Sequence, residues 1–182
     1  MKLRCALFAI LAAVAPFSAG AQAGSTPRPR PVKPNFAPLN FLIGNWTCTR
    51  TSSGRAPVGT TDTVTLDPGG YWLVETETVP AHPSFPYTTT HTDEVTYDGV
   101  AKRWIDLAYT NFGSYNIDTS NGFVGHTWAW HHELYSKSAE TASMTDFVLT
   151  KVNNSKTTAT ISLIMASGKR INGTRTCNKL HP

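Results

Sequence analysis

The 182-residue chain has no apolar run long enough to span a bilayer. Its first apolar stretch, Cys5 to Ala15, falls short of the ~20 residues a spanning helix needs, and Pro16, Ser18 and Gly20 then break it. Integral membrane association through such a segment is therefore not expected. Familiar catalytic signatures are missing too: there is no Gly-x-Ser-x-Gly elbow, no phosphate-binding Gly loop and no Cys-x-x-Cys. His131-His132 lacks the glutamate spacing of a helical metalloprotease motif. An excess of positive charge is also absent where it would matter. The formal charge is +4, but Lys2, Arg4, Arg28, Arg30 and Lys33 precede Phe36, leaving 11 Lys and Arg against 12 Asp and Glu from there on. A near-neutral domain has no basic face for nucleic acid.

What is present begins with a secretion signal. Lys2 and Arg4 precede the apolar stretch, and Ala21-Gln22-Ala23 reads as a small-residue cleavage site, so residues 1–23 are expected to be removed on export to the periplasm or the extracellular space. Residues 24–38 carry Pro27, Pro29, Pro31 and Pro34, which cannot donate ladder hydrogen bonds, and read as an extended, solvated linker. Residues 39–182 are one domain's worth of chain. Of three cysteines only Cys48 and Cys177 survive processing. In an exported chain two cysteines are expected to pair, and their spacing does not suit a zinc site. Two buried free thiols are the alternative.

From Phe41 onward, short runs rich in Thr, Val, Tyr and Trp alternate with turn signals such as Asp67-Pro68-Gly69-Gly70, Tyr97-Asp98-Gly99 and Asn121-Gly122. Strands are predicted near 41–51, 60–66, 71–79, 87–97, 103–110, 114–119, 123–132, 143–152, 156–166 and 169–178. Glu133 to Ala142 is the one place for a helical turn, and Pro80 to Pro86 reads as a loop with Phe85 as a plug. About ten antiparallel strands in a meander either close or leave long edges, so an all-β, closed antiparallel barrel is predicted, with a β-sandwich as the alternative.

Phe41-Leu42-Ile43-Gly44-Asn45-Trp46 resembles the Gly-x-Trp opening strand of the calycins, which comprise lipocalins, fatty-acid-binding proteins and nitrobindin-like barrels. The stretches from Tyr97 to Trp104, Gly113 to Tyr115 and Gly122 to Trp130 are similar to exported bacterial lipocalin-like domains of unknown function. The resemblance implies a barrel with Trp46 plugging one end, Gly44 letting the backbone bend, and a basic residue of the last strand packed over the indole. Arg175 is expected there, with Lys179 as the fallback. A nitrobindin-like haem site would need a histidine late in the barrel; Lys169 to Lys179 has none.

Along 123–132, Val124, His126, Trp128, Trp130 and His132 share one face by strict alternation. Turned inward, Trp128, Trp130, His126 and His132 would line a lumen for a small hydrophobic or amphipathic molecule, with Trp72 and Trp104 as further lining. Core filling by the two indoles is the alternative. Glu75, Glu77, His91 and Asp93 could converge as a metal or acid/base cluster, although the Thr-x-Glu alternation is read here as a solvated outer face. Asp106 follows Trp104 to whichever side it takes, and inside it would need a partner such as His126 or Arg175. Small-molecule binding in the lumen is the leading expectation. A metal, haem or catalytic site built on the lumen histidines and carboxylates is the second. A packed accessory barrel working through its surface is the third, and no cofactor is specified.

Overall fold

The computed structural model describes residues 31–83, 85–135 and 141–180. Twelve strands are found among them: β1 Gly44–Ser52, β2 Val58–Leu66, β3 Leu73–Val79, β4 Thr89–Asp98, β5 Arg103–Thr110, β6 Tyr115–Ser120, β7 Phe123–Val124, β8 Thr127–Tyr135, β9 Thr141–Met144, β10 Phe147–Asn153, β11 Lys156–Met165 and β12 Arg170–Lys179. A 3-10 turn over Ala37–Leu39 precedes them.

Ten strands close into an antiparallel ring, running from β1 to β6 and then through β8, β10, β11 and β12 back to β1. The short β7 and β9 pair with β8 and β11 outside this path. Closure pairs every strand of the ring on both sides and removes the exposed edges that a flat sheet of this size would carry. The meander predicted from turn spacing is thus the observed one, and the sandwich is not.

Alternation sets which side faces in. On β1, Trp46 and Cys48 are buried while Asn45, Thr47 and Thr49 are exposed; on β2, Thr60, Asp62 and Val64 are buried between exposed threonines. Asp67 shapes the connection to β3, its carboxylate accepting the backbone N–H groups of Gly69, Tyr71 and Trp72 at 2.6–2.8 Å.

The seam between β1 and β12 is joined covalently. Cys48 stands directly opposite Cys177 and the two form a disulfide with Cα atoms 4.0 Å apart. The same register sets Trp46 against Lys179 and Arg50 against Arg175. Lys179 therefore takes the place expected of Arg175: its Nζ lies 5.3 Å from the Trp46 ring centroid and donates to the Phe41 carbonyl at 2.9 Å. Arg175 lies four residues away along the strand, two repeats of the pleat too far, and points into the barrel. Gly44 has φ +133°, and a Cβ there would come 2.8 Å from Lys179 Cε, so both backbone and space call for glycine.

The Trp46 end of the barrel is sealed. Phe36 and Leu39, 6% and 1% exposed, join Trp46, Leu73, Trp128 and Trp130 in one apolar cluster, and Trp46 Nε1 donates to the Leu42 carbonyl at 2.7 Å. Phe36 falls within the stretch read as solvated linker, yet it packs on Trp104 at 5.8 Å between ring centroids. Two further expectations are corrected here. Glu133–Tyr135 continues β8 and residues 141–142 begin β9, while 136–140, the rest of the expected helical turn, lie outside the described residues. Phe85 plugs nothing: it is 40% exposed and meets Tyr87 and Phe112 edge-to-face at the surface. No helix among the described residues is long and apolar enough to cross a membrane.

Candidate functional site

Inside the ring lies a cavity of about 400 Å³. Two chemically distinct walls bound it. One is apolar and comes from β8, β10, β11 and the start of β12. Trp128 and Trp130 stack there with centroids 4.6 Å apart, and Leu149 and Phe147 stand directly opposite them on β10. Ala159, a small buried residue of β11, leaves room beside them.

The other wall is charged, and it is built by register. On β3 and β4, Glu75 faces Asp93 and Glu77 faces His91; on β5 and β6, Asp106 faces Asp118. These inward positions alternate with outward ones that are mostly Thr, Val, Ile or Leu, with Glu94 on β4 the acidic exception. The acidic face read as solvated is the inner one.

Arg175 enters this wall from β12 and forms ion pairs with Asp62 and Glu75, with Glu77 Oε1 3.8 Å from its Nε. Arg50 pairs with Glu77 from β1. Burial opposes ionisation of Glu75, but Arg175, helped by His91 and Arg50, outweighs it and holds the carboxyl below its usual range. Arg175 in turn is held more firmly protonated by Glu75, Glu77 and Asp62 than burial alone would allow. Asp62 is pushed up to about 7: burial dominates, Arg175 pulls the other way, and Glu75 and Glu77 push with burial. Its carboxylate also lies 2.9 Å from Cys48 Sγ, which as a disulfide sulfur has no hydrogen to offer.

Farther round the ring the cations thin out. Asp93 has His91 Nδ1 at 3.6 Å and is pushed up to about 6, by burial first and then by Glu75 and Glu77, with His91 and Arg175 opposing. Asp118 is well served, hydrogen-bonded to His132 Nδ1 at 2.7 Å and accepting from Asn116 Nδ2 at 2.9 Å. Asp106 is not. It is 8% exposed, its Oδ1 has no hydrogen-bond partner among the described residues, and burial together with Asp93, Asp118 and Glu75 raises it well above the ordinary carboxyl range. Neither His126 nor Arg175 serves it, contrary to expectation.

The structure brings together Trp128, Trp130 and His132 on the lumen side, as alternation suggests. His126 is separated from them. Gly125, at φ +62°, and His126 form the turn between β7 and β8, so the alternation is reset there and His126 is exposed. Trp104 shares the inward face but lies in the sealed end, packed on Trp128 and Tyr97, while Trp72 precedes β3 outside the cavity lining. Sequence reasoning missed Arg50, Asp62, Asn116 and Asp118 as lining residues. For Asp62 the signal was available, since it shares its face of β2 with the apolar Val64; for Asn116 and Asp118 no apolar neighbour on the inner face of β6 marks the phase.

Among the described residues the one convergent trio of ligand types is Cys48, Asp62 and Cys177, and both sulfurs are committed to the disulfide. Glu75, Glu77, His91 and Asp93 share a wall without forming such a trio.

No protein-family model matches the chain, and no curated protein matches it. Among solved structures it is similar to a redesigned β-barrel at 11% identity and TM-score 0.38, over 78% of this chain and 94% of that one. It is also similar to a protein of unknown function from the DUF3598 family of Nostoc punctiforme PCC 73102, at 16% identity and TM-score 0.49, over 78% of this chain and 49% of that one. This chain thus spans about half the length of the latter.

Proposed function

We propose that this protein is an exported, calycin-like carrier or sensor barrel that holds one small amphipathic molecule in its lumen. The observation that carries the reading is the cavity of about 400 Å³ with an aromatic wall on one side and hydrogen-bonding carboxylates on the other. A volume of this order suits a compact organic ligand, whose apolar body gains area against Trp128 and Trp130 while its polar end is oriented by the opposite wall. The cavity favours a hollow barrel over one that is packed and works only through its surface. Gly44 and Trp46 at the start of the ring, with Lys179 over the indole, support the calycin-like assignment. The disulfide supports an oxidising compartment, in keeping with the secretion signal read in residues 1–23.

The test is a titration with N-phenyl-1-naphthylamine, a neutral dye that brightens in apolar surroundings. Saturable 1:1 uptake with energy transfer from tryptophan is expected, and Ala159→Phe, which fills the space beside Trp128 and Trp130, should abolish it. Absence of saturable uptake, or uptake indifferent to a folded Ala159→Phe, overturns the reading.

A further inference from the structure

Among the described residues the lumen holds six carboxylates: Asp62, Glu75, Glu77, Asp93, Asp106 and Asp118. The permanent cations among those residues are two, Arg50 and Arg175, and both are committed to Asp62, Glu75 and Glu77 on one side of the ring. On the other side Asp93 and Asp118 each have one histidine, and Asp106 has neither a cation nor a partner for Oδ1. Among the described residues, then, the wall has carboxylates to spare and no fixed cation at Asp106.

We propose that the lumen ligand is an organic cation, a small molecule with a protonated amine on an aromatic or aliphatic body, its nitrogen held between Asp106 and Asp118. This deepens the lumen-binding reading above and rests on it. An ammonium group offers several N–H donors and a full positive charge, which is what an unpartnered buried Oδ1 beside a second carboxylate lacks. Asp118 faces Asp106 across β5 and β6 and lies opposite His132 on β8, two residues beyond Trp130 on the same inner face. An amine there therefore has the indoles within reach of its body, and their faces favour a neighbouring cation. The Trp128 Nε1 group, 2% exposed and without an acceptor among the described residues, would suit a ligand that also carries a hydroxyl or ether oxygen. Anionic ligands fit poorly, since each guanidinium is already taken and the remaining wall repels them. Without a ligand the excess is relieved by protons, consistent with the raised carboxyls of Asp106 and Asp93.

The experiment compares three probes of one shape by calorimetry on the full, disulfide-bonded chain at pH 7.5: 2-(2-naphthyl)ethylamine, 2-(2-naphthyl)ethanol and 2-naphthylacetate. The amine is expected to bind about 10- to 100-fold more tightly than the alcohol, the range of a charge-assisted hydrogen bond, and the acetate weakest of the three. Asp106→Asn should bring the amine-to-alcohol ratio toward one, and Asp118→Asn should lower it. Uptake of the neutral dye with no preference for the amine overturns the organic-cation assignment and leaves the lumen reading standing. Loss of all binding, dye included, overturns both. Should either variant fail to fold, the ratio measured on the unaltered chain decides alone. An amine preference that survives both folded variants removes the nitrogen from this site.

Discussion

Asp106 and Asp118 stand directly opposite one another on β5 and β6, both carboxyls turned into the barrel. Like charges in opposed positions disfavour strand pairing, and burial adds to the cost. One of the two is relieved by His132 and Asn116; the other has no partner for Oδ1, and burial with its acidic neighbours raises its carboxyl well above the ordinary range. That asymmetry sets how the protein responds to pH.

Stability should fall as pH rises from 5 to 8. Asp62, Asp93 and Asp106 all bind their protons more tightly folded than unfolded. The unfolded chain loses these protons from about pH 4 upward while the folded chain keeps them, so stability declines until the folded values are passed, about 6 for Asp93 and about 7 for Asp62. Glu75 works in the opposite direction but only around and below its ordinary range. Calorimetric melting should therefore give a higher Tm at pH 5 than at pH 8; a Tm that climbs across this window would contradict the account.

Asp106→Asn should stabilise the ligand-free protein at pH 8 by roughly 1–2 kcal/mol, because it removes a buried group that must either hold a proton or sit charged without a partner. It should also flatten the pH dependence. Urea unfolding at pH 5 and pH 8 checks both, and a loss of stability at pH 8 would speak against an unpaired Asp106.

Arg175→Met should be among the most damaging single changes. It leaves Asp62 and Glu75 facing the same space without their shared counter-charge, which costs about 3–5 kcal/mol for a buried pair broken on one side. Denaturant unfolding near neutral pH is the measurement, and a cost below about 1 kcal/mol would show that the network is solvated.

Removing the disulfide by Cys48→Ser with Cys177→Ser should cost about 4–5 kcal/mol in the chain-entropy view, given the 129-residue separation it closes. Comparing urea midpoints of the oxidised chain and the double variant tests this. Equal midpoints would mean that strand pairing alone holds the seam.

Gly44→Ala should cost roughly 1–3 kcal/mol through its left-handed backbone. Lys179→Ala alone should cost about 1 kcal/mol, from the contact over Trp46 and the bond to the Phe41 carbonyl. The double variant should recover only part of what Gly44→Ala loses, since removing the side chain relieves the 2.8 Å approach of Lys179 Cε but leaves φ unchanged. Full recovery would assign the glycine to space rather than to conformation.

Strand number, turn positions and the cysteine pair were legible because each rests on local chemistry: turn residues between β-branched runs, and two cysteines left to pair once the leader reading sets Cys5 aside. The inner wall was not. On β5 the apolar Ile105 and Leu107 face outward while Asp106 and Ala108 face in, so hydrophobic alternation selects the wrong side wherever the interior is polar. His126 was lost to a turn set by Gly125, which interrupts a run that looks continuous. Arg175 and Lys179 exchanged places because only register, fixed by the Cys48–Cys177 pair, decides which basic residue reaches Trp46.

β12 is the last ring strand to leave the ribosome, and both β1 and β11 wait for it. Until it arrives the growing sheet has two sticky borders and nothing to cover them. Closing the ring thus needs contacts between residues as far apart in sequence as Trp46 and Lys179, and loop-closure entropy makes such pairings slow to form. The Cys48–Cys177 bond sits on that same long-range pairing and ties together the two strands that meet last along the chain.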